Sequence, residues 1–270
     1  MSKKKVLIIA EELSPYTFEN DIANLVGKLP QAIHESGMEV RILMPKFGII
    51  NERRHRLHEV VRLSGMNIII DDDDYPLIIK VASLPGMRLQ VYFLDNEEFF
   101  KRKFMFHDEE GKPFADNEDR MVFFCKGVIE TIRKFGWPAD YIHCFGWMTA
   151  LIPFYLKTAY KNDPILNKFK IIYTPYKEDI SGFFTPKFLD KASINNLEPE
   201  DLKPFMKNKD VTLIEGALAF TDGIIIGSED LDESVTKAIK KLKGIPVLDY
   251  VPLENMKKEY MEFYNKLIEE

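Results

Sequence analysis

Five consecutive apolar residues, Val6-Leu7-Ile8-Ile9-Ala10, open the chain's first structured stretch. Ile22, Leu25, Val26, Leu29 and Ile33 follow at helical spacing, and a second short apolar run covers residues 40–44 before Pro45. An aliphatic run with no polar face is a strand covered on both sides. Strand, helix and strand in this order form a βαβ unit, which places the two strands side by side and parallel. The alternation continues. Strands are expected at residues 66–70, 77–81, 90–94, 141–144, 171–174 and 223–227. Helices are expected from Asp116 or Asn117 to Phe135, over 147–157 with Pro153 awkward for its interior, over 211–220 and over 230–242. The expected fold is α/β with a doubly wound parallel sheet.

Residues 254–270 carry Met256, Tyr260, Phe263, Tyr264, Leu267 and Ile268 on one helical face. That face needs a surface to cover, and the helix is expected to pack back on a domain formed by residues 1–253. With 270 residues, 46% of them apolar, the chain can bury a core without disulfides or metals. The formal charge of −6 argues against a general binder of nucleic acid or anionic membrane. Cys125 and Cys144 make no CxxC pair, and a reducing cytoplasm is expected. Lys3-Lys4-Lys5 precede an apolar run that Glu11-Glu12 ends after five residues, too short for a signal core, and no stretch is long enough to span a membrane.

The residues alone offer little chemistry. There is no nucleophile elbow, P-loop or GxGxxG fingerprint. The five histidines show no metal-ligand spacing, so neither metal nor cofactor is expected. His55 and His58 sit in a basic loop with Arg53, Arg54 and Arg56, and Asp71–Asp74 read as a solvated turn. His143 alone reads as a hydrogen-bonded strand-end histidine.

Several segments together resemble the N-terminal half of glycogen and starch synthases, the ADP-glucose-dependent transferases of GT-B fold. Residues 5–16 and the helix Ile22-Ala23-Asn24-Leu25-Val26-Gly27-Lys28-Leu29-Pro30 are similar to the family's "SExxPFxKTGGLADVVGxLPxAL". Gly37–Gly48 resembles "GHxVRVxxPxYG", and Asp116-Asn117-Glu118-Asp119-Arg120 resembles a "DNxxRF" helix start. Gly136-Trp137-Pro138 through Leu151 is similar to "GWxPDxxHxHDWHTAL", and Ile214–Asp222 more weakly to "LKGGIxxAD". The resemblance runs from residue 5 to about residue 245. It implies the Rossmann-like half of a GT-B fold.

The departures fall on the positions that the resemblance implies are chemical. The family's phosphate-facing lysine is Phe18, and its two glycines are Asn20 and Asp21, beside Glu19. The histidine facing the transferred sugar is Phe145, the next aspartate is Gly146, and the lysine of the last motif is Glu215. The loop Tyr16, Thr17, Phe18 and Asn20, the helix start Asp116, Asn117 and Arg120, and His143, Phe145 and Trp147 are the candidate cleft residues, none of them catalytic. Asp116, Asn117 and Arg120 have an alternative role in capping and a local ion pair. The function expected is that of a synthase-like domain of glucan metabolism unable to transfer glucose from ADP-glucose alone, acting as a degenerate glucan-binding or regulatory module. The alternative is half of a split glucosyltransferase completed by a partner chain. Partners expected are a glucan or nucleotide-sugar and a protein supplying a second domain, or a second copy of the chain.

Overall fold

The structure, a computed structural model, describes residues 3–269, with side chains described through residue 267. Strand β1 (Lys5–Ala10) lies in the middle of a ten-stranded sheet. It pairs in parallel with β2 (Glu39–Pro45) on one side and with the strand Tyr141–Phe145 on the other. Beyond β2 comes the parallel strand Gln90–Asp95; beyond Tyr141–Phe145 come Lys170–Thr174, Gly223–Ile225 and Val247–Leu248, all parallel. The direction of winding therefore reverses beside β1, and ligands of such sheets bind outside the carboxyl ends of the strands at that reversal.

The sheet is doubly wound at its centre but antiparallel at one edge. Asp73–Ser83 runs against Gln90–Asp95, and pairs in turn with Met66–Ile70 and His58–Glu59. Of the four acidic residues expected in a turn, Asp71, at φ 51°, and Asp72 form it, while Asp73 and Asp74 already belong to the strand and pair with Ile70 and Ile69. Three expected helices are shorter than the sequence suggests, and the one expected over 230–242 covers Glu233–Lys241. Residues 147–157 divide into a 3₁₀ turn, Trp147–Thr149, and a helix, Leu151–Lys157. Pro153 then falls in the first helical turn, where its missing N–H has no intrahelical acceptor to lose. The helix expected over 211–220 covers Leu213–Leu218.

Helix α1 (Asp21–Glu35) starts at Asn20, whose Oδ1 accepts the Ala23 N–H at 2.8 Å, and buries Ile22, Leu25, Val26, Leu29 and Ile33. The helix Asn117–Phe135 covers the opposite face of the sheet and ends at Gly136, whose left-handed φ of 59° suits glycine. Among the described residues no helix is long and apolar enough to cross a membrane.

The terminal helix, Met256–Glu269, lies beside α1 and joins it through Lys257 and Glu35. Tyr260, Phe263, Tyr264 and Leu267 are buried; the side chain of Ile268 lies outside the described residues. Phe263 and Leu267 press on Gly223, where an added Cβ would meet them at 3.0–3.2 Å. The Tyr264 ring stacks on Tyr141, and its hydroxyl reaches His143 Nδ1 at 2.7 Å. Thr174 Oγ1 meets the other ring nitrogen at 2.7 Å. Burial holds the imidazole well below its ordinary pKa, so it is neutral, donating from one nitrogen and accepting at the other. Removing one hydroxyl leaves a buried polar atom without a partner. Tyr264→Phe should therefore lower the unfolding free energy by about 1–3 kcal/mol in urea titration. Tyr250→Phe, at a tyrosine 41% exposed, should leave it within about 0.5 kcal/mol.

Candidate functional site

Three loops meet where the winding reverses. Glu11 and Glu12 follow β1, Gly146-Trp147-Met148 follow the strand Tyr141–Phe145, and Pro175 to Glu178 follow Lys170–Thr174. Glu11 Oε2 accepts the Met148 N–H at 2.8 Å, and Glu178 Oε2 accepts the adjacent Trp147 N–H at 2.9 Å. Gly146 lets the carboxylate in: its φ is 76°, and a Cβ there would fall on the Glu11 carboxylate. An aspartate at this position would displace Glu11, so the departure from the resembled pattern at Gly146 and the buried glutamate go together.

Glu11 is fully buried, and its Oε1 has no N–H or O–H donor from any neighbouring group. Burial, then the adjacent Glu178 charge, raises its pKa well above the carboxylate range. Burial is also the largest cause that pushes Glu178 up, to about 7. Glu178 is half-buried and lines two cavities. Burial and the nearness of the two carboxyls thus both push the pair towards protonation.

The two cavities adjoin across Glu178, Ile180, Val211 and Asp232, with volumes of about 670 and 200 Å³. The larger presents Ser181, Thr185, Lys177, Lys209 and Phe184; the smaller reaches Trp147 and Tyr176. Its lip is fastened from the far helix: Glu118 accepts the Thr185 N–H and hydroxyl at 2.7 and 2.9 Å, and Lys191 bridges Glu118 and Asp119 at 2.9 and 2.8 Å. Among the described residues no cluster of three or more His, Cys, Asp or Glu gathers around a metal-sized space.

The ten residues singled out in the sequence fall into three groups. Phe18, 66% exposed, and Asn20 line a third concavity of about 260 Å³ with Glu12, Phe106 and His107. Tyr16 and Thr17 hold that loop from inside. Tyr16 donates to the Ser83 carbonyl at 3.0 Å, with its hydroxyl pushed up to about 12 by burial, and Thr17 accepts from Leu13 N–H at 3.1 Å. Asp116, Asn117 and Arg120 cluster at a helix start but line neither of the adjoining cavities. Asp116 occupies the cap position without capping; its carboxylate is taken by Arg102 at 2.6 Å. The ion pair is thus with Arg102, not Arg120. Arg120 is fully buried among Phe47, Phe100 and Phe114, bonds Asn117 Oδ1 and the Phe99 carbonyl, and is lowered to about 9, chiefly by burial. His143 and Phe145, 4.0 Å apart, are sealed beneath the terminal helix, and Trp147 alone of the ten reaches the adjoining cavities.

Sequence reasoning missed the Glu11–Glu178 pair. The signal was faint: two acids directly after a buried strand, and a third in the loop after a parallel neighbour. Folded pKa values above the unfolded ones stabilise the protein below pH 4.5, and that contribution is lost as pH rises towards and through about 7. Glu178→Gln removes the second charge and should flatten the decline. At pH 8 it should be more stable than the unsubstituted protein by roughly 1–3 kcal/mol, and at pH 5 by less than about 0.5 kcal/mol. The neutral buried His143 destabilises below its unfolded pKa in both proteins and cancels from the difference. Urea unfolding at the two pH values checks this.

A family model described as "Starch synthase catalytic domain" matches residues 5–245. The chain is 35% identical over 234 residues to a glycogen synthase of Pelodictyon phaeoclathratiforme, covering 86% of this chain and 47% of that protein. It is 38% identical over 188 residues to a glycogen synthase of Chlorobium limicola, covering 69% and 38%. The chain thus spans less than half the length of these relatives. The catalytic domain of Starch Synthase IV from Arabidopsis thaliana, solved bound to ADP and acarbose, superposes with a TM-score of 0.75 at 19% identity, covering 94% of this chain and 53% of that one. That likeness gives the fold, one half of a GT-B architecture, and with the family match it means that the chain belongs to the starch synthase catalytic domain family.

Proposed function

We propose that the chain is a glucan-binding domain of glycogen or starch metabolism that does not transfer glucose from ADP-glucose on its own. The observation that carries this reading is the charge at the carboxyl end of the sheet. The loop after β1 brings Phe18, Asn20 and Asp21 to the places where the resembled pattern has a lysine and two glycines, with Glu19 between them and Glu12 lining the same concavity as Phe18 and Asn20. A diphosphate approaching these carboxylates meets repulsion and finds no lysine in that loop. A neutral oligosaccharide meets no such barrier. Ser181 and Thr185 offer hydroxyl partners and Phe184 an apolar face, the mixture that suits a sugar ring. His143 is sealed by Tyr264 and Thr174, and Phe145 stands where the resembled pattern has its sugar-facing histidine, so neither side chain offers a polar group to a transferred glucose.

Isothermal titration with maltoheptaose and with ADP-glucose tests the reading. Heat should accompany maltoheptaose, with a dissociation constant of about 1 mM or tighter, and ADP-glucose at several-fold that concentration should not compete with it. A radiolabel assay should detect no glucose incorporation by the chain alone. Micromolar ADP-glucose binding, or transfer on mixing with the second half of a glycogen synthase, would overturn the proposal in favour of a split transferase.

A further inference from the structure

The opposite edge of the sheet holds a cavity of different character. Lys5, Tyr141 and Lys170 begin three neighbouring parallel strands, so this cavity lies at their amino ends, about 15–20 Å from the Glu11–Glu178 loops. Its volume is about 450 Å³. Five lysines surround it, Lys3, Lys4 and Lys5 from the chain's start and Lys168 and Lys170 from the approach to a later strand. In a chain of formal charge −6, five cations around one concavity make a local reversal of sign.

Their neighbours do not neutralise them. Among the described residues Asp140 is the single carboxylate lining the cavity, and both its oxygens are used: Oδ2 accepts the Lys5 N–H at 2.8 Å and Oδ1 the Lys4 ammonium at 3.2 Å. Among the described residues Lys3, Lys168 and Lys170 form no ion pair, and the Lys5 ammonium lies 5.8 Å over the Trp137 ring. The floor is rigid. Asp140 N–H donates to the Lys5 carbonyl at 2.8 Å, and Lys170 N–H to the Asp140 carbonyl at 3.1 Å. The walls are apolar: Phe169, Leu267 and the 47%-exposed Ile165. Converging ammonium groups suit phosphate oxygens, and an apolar wall beside them suits the body that carries the phosphates.

We propose that this cavity binds an organic polyphosphate, with the phosphates held by Lys3, Lys168 and Lys170 and the organic portion against Ile165 and Phe169. The site is separate from the glucan cleft and stands whether or not that reading holds. An extended acidic peptide would use the same charges but not the enclosed apolar wall.

Titration of the full chain with ATP and with inorganic pyrophosphate, at low and at physiological salt, tests the assignment. ATP should bind more tightly than pyrophosphate, and both should weaken as salt rises. The variant Lys168→Ala/Lys170→Ala should lose about tenfold or more in affinity for ATP, because the two side chains make no other bonds whose loss would disturb folding. Lys177→Ala/Lys209→Ala, in the cleft on the far edge, should leave it unchanged; circular dichroism confirms that both variants fold. Absence of ATP binding, equal affinity for the two probes, or a loss that follows the cleft variant instead would overturn the proposal. So would binding of polyglutamate without ATP, which would make the surface a peptide site.

Discussion

The uninterrupted apolar sequence of β1 is the constraint from which the rest follows. Five of its six residues have no exposed face, so both sides of the sheet must be covered. Helix α1 and the terminal helix supply one cover, and the helix Asn117–Phe135 supplies the other. With β1 central and neighbours added first on one side, then on the other, the winding must reverse beside it. That reversal leaves the loops after β1 and after Tyr141–Phe145 facing each other with no strand-to-strand connection between them. The cleft is a by-product of burying one strand twice.

What fills that place is a pair of acids. The two carboxylates take consecutive backbone N–H groups of a 3₁₀ turn, which offsets part of the cost of burying them. The arrangement depends on Gly146, because any side chain there would occupy the space of Glu11. The residue at 146 and the acid at 11 are thus sterically coupled, and neither position can be changed without regard to the other.

The central βαβ unit, the parallel strands and the terminal amphipathic helix were legible because each is set by local periodicity that tertiary packing reinforces. The antiparallel edge was less so: residues 66–70 and 77–81 read as strands, but direction depends on pairing with Gln90–Asp95, which no local pattern encodes. Residues 176–210 carry no periodicity that marks an element, because their order comes from distant side chains, Glu118 holding Thr185 and Lys191 above all. Of the site, Phe18 and Asn20 could be flagged from loop position. Glu11 and Glu178 could not, since they are 167 residues apart and their proximity exists only once three strands have aligned. Asp116 shows the reverse failure: residue type pointed to a cap, and a nearby arginine won the carboxylate.

The hydrogen bond from Tyr264 to His143 spans 121 residues, and the Lys257–Glu35 pair spans 222. The surface of the sheet beneath the helix Met256–Glu269 therefore stays open until residues 256–267 have been synthesised. A nascent chain that has reached residue 255 exposes Tyr141, Gly223 and one flank of α1. During that interval the sheet has an uncovered apolar face, the kind of surface that chaperones hold.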